Sequence, residues 1–380
     1  MISVYVATHV PCTQPDYDIL NSAANTGNSP PSSAANQPSP YLIVSNSPET
    51  MTPGTGTKTL YKCEIPLTSG TKRIRVYFWH VSTKTGTTYF NVLASLSSGT
   101  GTVSDRRIDE QATGTEVDKR VCISKVHLFD SWNTATSNVP LTTAEASIWS
   151  KSKTQNQLAA MVMEFDVTVE SSINLQIRTT ASASSGVQGA WGDSVEALDT
   201  HVRGWWPYSS LELDCGSWNA RPPMGPHILT IGVCEAAGPE HGSNGFAKQS
   251  TGDPHGTKNL GCYGVDLTYK VAISNTGTQS YPLFVYGVAR NIGGLAAGAA
   301  NVESPSGFPQ FGFNYLLVNS THHSGFFRLT SDSAGNEAAI SVATSANYDL
   351  RVIVANAGGA GTPFDIVLSG LAIAPVEEPG

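Results

Sequence analysis

The sequence predicts an all-β protein built as two tandem β-sandwich domains behind an extended N-terminal arm. Three observations lead there. Short segments rich in Val, Ile, Tyr, Phe and Thr alternate apolar with polar residues, the pattern of half-buried strands. The 36 Gly and 22 Pro punctuate the chain too often for long helices. One strand–turn–strand signature occurs twice, about half the chain apart.

The strands are read in order. Residues 13–57 are rich in Pro, Ser, Asn, Thr and Gly, including Asn28-Ser29-Pro30-Pro31, with one apolar strand at Tyr41-Leu42-Ile43-Val44. Residues 1–57 are therefore assigned to an arm that could drape over a neighbouring subunit. Strand signals follow at Thr59–Ile65, Arg73–Val81, Tyr89–Leu96, Val121–Phe129, Met161–Val169, Ile173–Arg178 and His227–Val233. Regular short strands with Gly, Ser and Thr turns imply a sandwich or barrel. One helix is expected, where Thr142-Thr143-Ala144-Glu145 reads as a capping box before Ile148 and Trp149.

Val81-Ser82-Thr83-Lys84-Thr85-Gly86-Thr87-Thr88-Tyr89 reappears as Ile273-Ser274-Asn275-Thr276-Gly277-Thr278-Gln279-Ser280-Tyr281, an offset of 273 − 81 = 192. Glycine suits such a turn because it tolerates positive φ. Two further matches are weaker in kind. Ile173–Ile177 resembles Tyr348–Val352, and Pro226–Ile231 resembles Pro363–Leu368, the latter at an offset of 363 − 226 = 137. Together they place the first sandwich at 58–236, a linker at 237–258 and the second sandwich at 259–380. The shrinking offset then requires a long insertion in the first unit, at about 182–224.

That insertion carries the candidate site. Trp191, Arg203, Trp205, Trp206, Tyr208 and Trp218 gather large aromatics and a cation in one loop region. Such clusters form subunit interfaces, stacking platforms for sugars, or plugs in the open end of a sandwich.

Composition excludes several classes. With 22 Lys plus Arg against 30 Asp plus Glu, the net charge is −8. No basic stripe suits phosphate neutralisation, so no direct nucleic-acid partner is expected. Lys72-Arg73-Ile74-Arg75 and Arg106-Arg107 read as ordinary solvated charges. No run approaches the ~18 apolar residues of a membrane span. The N-terminus lacks a basic n-region and makes a poor secretory signal. Cysteines at 12, 63, 122, 215, 234 and 262 form no Cys-x-x-Cys pair and read as buried thiols rather than metal ligands.

Motifs for chemistry are weak. Gly192-Asp193-Ser194 with Asp199-Thr200-His201 superficially resembles the blocks of the GDSL hydrolases, but the spacing and the fold class disagree. His322-His323 would point to opposite faces of a strand, and His241 and His255 lack a clustered carboxylate partner. Asn319-Ser320-Thr321 is a glycosylation sequon relevant only in a secretory pathway. No enzyme activity, catalytic residue, cofactor or metal is expected.

Tandem sandwiches of this length and low-charge Thr/Ser/Gly/Ala composition resemble the tandem jelly-roll coat proteins of viruses and phages. The resemblance implies a virion location, a shell, decoration or spike role, and self-assembly into a homo-oligomer or with other virion proteins. An immunoglobulin-like sandwich is the other fold open at this stage. The rival function is a secreted or cell-surface carbohydrate-binding, adhesive protein contacting surface glycans through the tryptophan loop.

Overall fold

The computed structural model describes residues 40–53, 56–109, 133–135, 137–207, 209–219, 227–231, 254–257, 259, 263–289, 298–303, 326–328, 340–342, 347–356 and 364–369. The strand expected at Val121–Phe129 lies outside them. The protein is all-β: the described residues contain no helix and form several sheets.

The chain divides into two compact units. Described residues 40–209 and 254–264 belong to the first, and 210–231 and those from 265 onward to the second. The first holds β1 (Tyr41–Ser45), β2 (Thr50–Met51), β3 (Thr57–Leu67), β4 (Gly70–Ser82), β5 (Thr88–Leu96) and β6 (Gly101–Asp109). It continues with β7 (Asn133–Ala135), β8 (Val139–Leu141), β9 (Ala146–Lys153), β10 (Leu158–Val169), β11 (Ile173–Ser182) and β12 (Arg203–Trp206). The second holds β13 (Ser210–Asn219), β14 (His227–Ile231), β15 (Asp266–Ser274), β16 (Tyr281–Ala289) and β17 (Gly298–Glu303). It ends with β18 (Phe326–Arg328), β19 (Ile340–Val342), β20 (Asn347–Asn356) and β21 (Phe364–Ser369).

In the first unit one sheet runs β12-β1-β4-β10-β6-β7, with β2 also on β4 and β8 also on β6, and the other runs β3-β11-β5-β9. Strand β4 explains how the sheets meet. Ile74, Val76 and Phe78 point inward, joining Met161, Met163 and Phe165 of β10 in one core with Ile65, Phe90, Val92, Trp149 and Ile177 of the second sheet. Phe78 meets Phe90 at 5.8 Å and Trp149 at 5.1 Å between ring centroids, each across the gap between sheets. The alternating side, Arg73, Arg75, Tyr77 and Trp79, is buried as well. The segment ending at Gly264 covers part of it: Tyr263 stacks on Tyr77 at 6.0 Å. Gly264 has φ +73, and a Cβ there would stand 2.8 Å from Leu42 Cδ1, so the position suits glycine alone. Pro66 is tolerated in β3 because that strand pairs with β11 alone among the named strands, at the sheet edge.

The second unit repeats this path. Its sheets run β13-β15-β20-β17 and β14-β21-β16-β18, with β19 also on β16. β1 pairs with β4 in parallel, and so does β13 with β15, whereas the pairings of β10, β11, β20 and β21 are antiparallel. Equivalent strands sit at a nearly constant offset: 274 − 82 = 192 for the ends of β4 and β15, 347 − 158 = 189 for the starts of β10 and β20, and 364 − 173 = 191 for β11 and β21.

The topology corrects parts of the sequence reading. Gly86 and Gly277 do occupy equivalent connections, but each joins strands of different sheets rather than closing a hairpin. Gly86 has φ 95, while the Gly277 N–H donates to Asn275 Oδ1 at 2.8 Å. The other two sequence matches are not equivalences. β20 corresponds to β10, not β11, and β14 is an early strand of the second unit that pairs with β21. Apolar alternation is too generic to distinguish one strand from its sheet neighbour. The first unit thus closes near 209 rather than 236, and the tryptophan region is the stretch between equivalent sets of strands. Residues 41–51 form integral strands rather than an arm, and the described part of the expected linker packs on the first unit.

The expected helix is absent too. Thr142 Oγ1 accepts from the Ala144 N–H at 3.1 Å in a bend, and β9 follows. Core packing outweighs the capping signal: β9 slips against β5 at Ile148, between the Val92–Trp149 and Leu93–Ser147 pairs, and both Ile148 and Trp149 join the core.

Candidate functional site

The tryptophan region was the candidate, and its residues are placed one by one. After β11 the chain crosses the outer face of the smaller sheet. Lys62 Nζ donates to the carbonyls of Trp191 and Asp193 at 2.8 Å each and lies 5.6 Å from the Trp191 ring centroid. Arg178, fully buried, donates to the Gln188 carbonyl at 2.9 Å and grips Glu145 through Nε (2.6 Å) and Nη2 (2.5 Å). That pairing is what Glu145 does in place of capping a helix.

On β12 the side chains alternate. Trp206 sits opposite Leu42 and is 1% exposed, and Gly204 makes room for it, since a Cβ there would lie 2.7 Å from the indole. Trp205 sits opposite Ile43, packs against the core while half-buried, and meets Tyr41 edge-on at 6.4 Å. Arg203 is 3% exposed. Its guanidinium donates to the carbonyls of His255 (2.8 Å), Glu196 (2.8 Å), Leu60 (3.0 Å) and Ser47 (3.3 Å). Tyr208 lies outside the described residues, and Trp218 is a buried residue of the second unit. The region is therefore not one aromatic surface. Its inner members tie the edge of the first unit together.

Around Arg203 lies a polar network that the sequence did not announce. His80, on the inner side of β4, is fully buried; Nδ1 meets the Pro48 carbonyl at 2.6 Å and Nε2 meets Ser45 Oγ at 2.9 Å. Ser45 Oγ reaches Thr179 Oγ1 of the opposite sheet at 2.8 Å. One step further out, Ser47 Oγ and the Glu49 N–H donate to Asp199, at 2.8 Å each, and His201 Nδ1 lies 3.0 Å from it. His201 Nε2 pairs with Glu49 at 2.6 Å. The serine on Asp199 is thus Ser47, not Ser194 of the hydrolase-like block. Burial alone would push Asp199 up, but hydrogen bonds from the His201 and Glu49 N–H groups, His201 and Ser47 outweigh it and hold the carboxyl at about 2. Stability from this group is present above the ordinary carboxylate value and is lost as pH falls through that value toward 2. Asp199→Asn is expected to flatten the acid limb of a denaturation profile below about pH 4.

The outer side of the larger sheet holds a second cluster. Arg75 stands opposite Glu164 and Arg73 opposite Asp166 in the β4–β10 register. Arg75 Nε donates to Glu164 Oε1 at 2.7 Å and Nη1 to the Gly264 carbonyl at 2.8 Å, with both side chains fully buried. Arg73 meets Asp105 at 2.9 Å and Asp166 at 3.3 Å. Asp105, with φ 43, sits at the bulge where β6 slips against β10. Burial is the largest influence on Asp166; with the Asp105 and Glu164 charges it outweighs Arg73 and raises the carboxyl to about 6. The reading of Arg73 and Arg75 as solvated charges is overturned, since they are 1% and 0% exposed. A signal existed: Arg-x-Arg on one strand and Glu-x-Asp on another are complementary at period two.

Among the described residues no three His, Cys, Asp or Glu side chains are placed to hold a metal ion. Cys63 is buried in the core of the first unit. His241, His322, His323 and Asn319 lie outside the described residues.

No family model matches the chain, and no curated protein matches it. Among solved structures, it is similar to the N-terminal tandem CBM22-1–CBM22-2 domain of Paenibacillus barcinonensis Xyn10C at 7% identity, covering 83% of this chain and 98% of that one, with a TM-score of 0.16. It is also similar to Fet3p, a multicopper oxidase that functions in iron import, at 9% identity over 80% of this chain and 51% of that one, with a TM-score of 0.10. Superpositions this loose establish no kinship.

Proposed function

We propose that the chain is a non-enzymatic structural protein of a virus or phage particle, made of two tandem jelly-roll sandwiches that assemble into a homo-oligomer. The observation that carries the reading is the doubled strand path. Counting β3, β4, β5, β6, β7–β8, β9, β10 and β11 as strands one to eight, the sheets of the first unit read 1-8-3-6 and 2-7-4-5. That order is the interlocked Greek-key path of a jelly roll, a fold of viral capsid and lectin domains. The second unit supplies 1-8-3-6 and 2-7-4. Trp206 is buried within the unit, Trp205 packs on its core and Trp191 carries Lys62, which weakens the sugar-stacking alternative and equally takes these side chains out of the assembly surface. Sedimentation velocity with negative-stain micrographs of the purified chain tests the proposal. Closed shells, rings or discrete oligomers are expected. A chain that stays monomeric at every concentration and salt, and is retained on a glycan surface, would overturn it.

A further inference from the structure

We propose that His80 is an acid-operated latch between the two sheets of the first unit, closed while its ring is neutral and opened by a single proton. The hydrogen positions follow from the partners. The Pro48 carbonyl can only accept, so Nδ1 carries the ring hydrogen. Nε2 must then accept from the Ser45 hydroxyl, and Ser45 in turn accepts from Thr179. Three buried groups from β1, β4 and β11 thus form one directed chain that spans the gap between sheets.

A proton on Nε2 makes this chain run backwards. Ser45 would have to turn its hydrogen toward Thr179, whose own hydrogen is left only the Tyr61 carbonyl, 3.4 Å away. The imidazolium would sit against Phe78, at 4.6 Å, and Phe90, at 6.3 Å, fully shielded from bulk solvent. Two charged groups face the ring from the surrounding elements. Asp199, in the loop before β12, favours the proton, but its oxygens are held by Ser47, Glu49 and His201. Arg203, on β12, opposes it. Glu49 and His201 lie one contact further out, paired with each other.

Burial is the largest influence and lowers His80 to about 4, against smaller opposing pulls from the Pro48 carbonyl, Asp199 and the Ser45 carbonyl. A histidine held below its unfolded value contributes stability that is complete above about pH 6.5 and lost as pH falls toward 4. At about pH 5 the unfolding equilibrium constant should have risen roughly 30-fold from this group alone. Asp166 acts with the opposite sign over a similar range, because a raised carboxyl favours the folded state on acidification. Asp199 acts only below the ordinary carboxylate range.

The test uses the full chain. Denaturant unfolding is followed at near-neutral pH and at about pH 5 for the native protein and for His80→Asn, whose amide keeps a donor for the Pro48 carbonyl. The native protein should show the roughly 30-fold loss superimposed on the other groups, and the variant should lack it. Nitrogen-15 spectra of histidine-labelled native protein give a second readout, with Ser45→Ala identifying the His80 signals. They should show a hydrogen on Nδ1 at neutral pH and titration far below the ordinary histidine value. An equal pH response in His80→Asn, or a His80 ring that titrates normally or carries its hydrogen on Nε2, overturns the latch. If His80→Asn does not fold, the spectra of the native protein decide alone.

Discussion

Replacing Glu164 by Ala is expected to destabilise the first unit by about 3–5 kcal/mol, the usual cost of stranding a buried charge. Glu164 Oε1 is the carboxylate partner of Arg75, and Oε2 lies 3.8 Å from Arg73 Nε. Removing it takes away the carboxylate that Arg75 pairs with at a position fully shielded from solvent. The melting temperature should fall by roughly 6–20 °C, scaling that cost for a unit of this size. Changing Arg75 and Glu164 together to Met should recover most of the loss, because an apolar pair of similar volume avoids the desolvation of two ions. Calorimetry of the three proteins checks this. A loss below about 1 kcal/mol in Glu164→Ala would mean that solvent screens the cluster.

Trp206→Ala should rank beside it, at about 3–5 kcal/mol, since a fully buried indole leaves a large cavity. Trp205→Ala, one residue away, should cost less than half as much, because its ring is half-buried at the sheet edge. Denaturant midpoints of the two variants separate the roles. Equal losses would show that β12 does not alternate between faces as its pairing with β1 requires.

Most of this architecture was legible where local pattern and tertiary role agree. Strands such as Thr59–Ile65 and Met161–Val169 were readable because their apolar alternation is the same property that builds the core, and the structure extends them to β3 and β10. Thr142–Glu145 misled because a capping box is a short-range signal, whereas Ile148 and Trp149 answer to a core assembled from distant strands. The repeat was visible only at the Thr-Gly turn, where turn chemistry restricts the residues. Elsewhere apolar alternation matched a strand to the wrong neighbour. The polar network escaped entirely: Ser45, His80 and Thr179 are distant in sequence, and nothing in their local composition distinguishes them from solvated residues.

The path that defines the fold also sets a schedule. Among the named strands β3 pairs with β11 alone, and Ile173 is translated 173 − 67 = 106 residues after Leu67. At ribosomal speeds of about 5–20 residues per second, β3 waits roughly 5–20 s for its partner. Throughout that interval β3, which carries Leu60, Tyr61, Cys63 and Ile65 to the core, has no named strand to pair with. The nascent chain therefore passes through a long window in which an apolar strand is open to any neighbouring strand on the same polysome, and dilution or a chaperone during synthesis should govern its yield more than the stability of the finished fold.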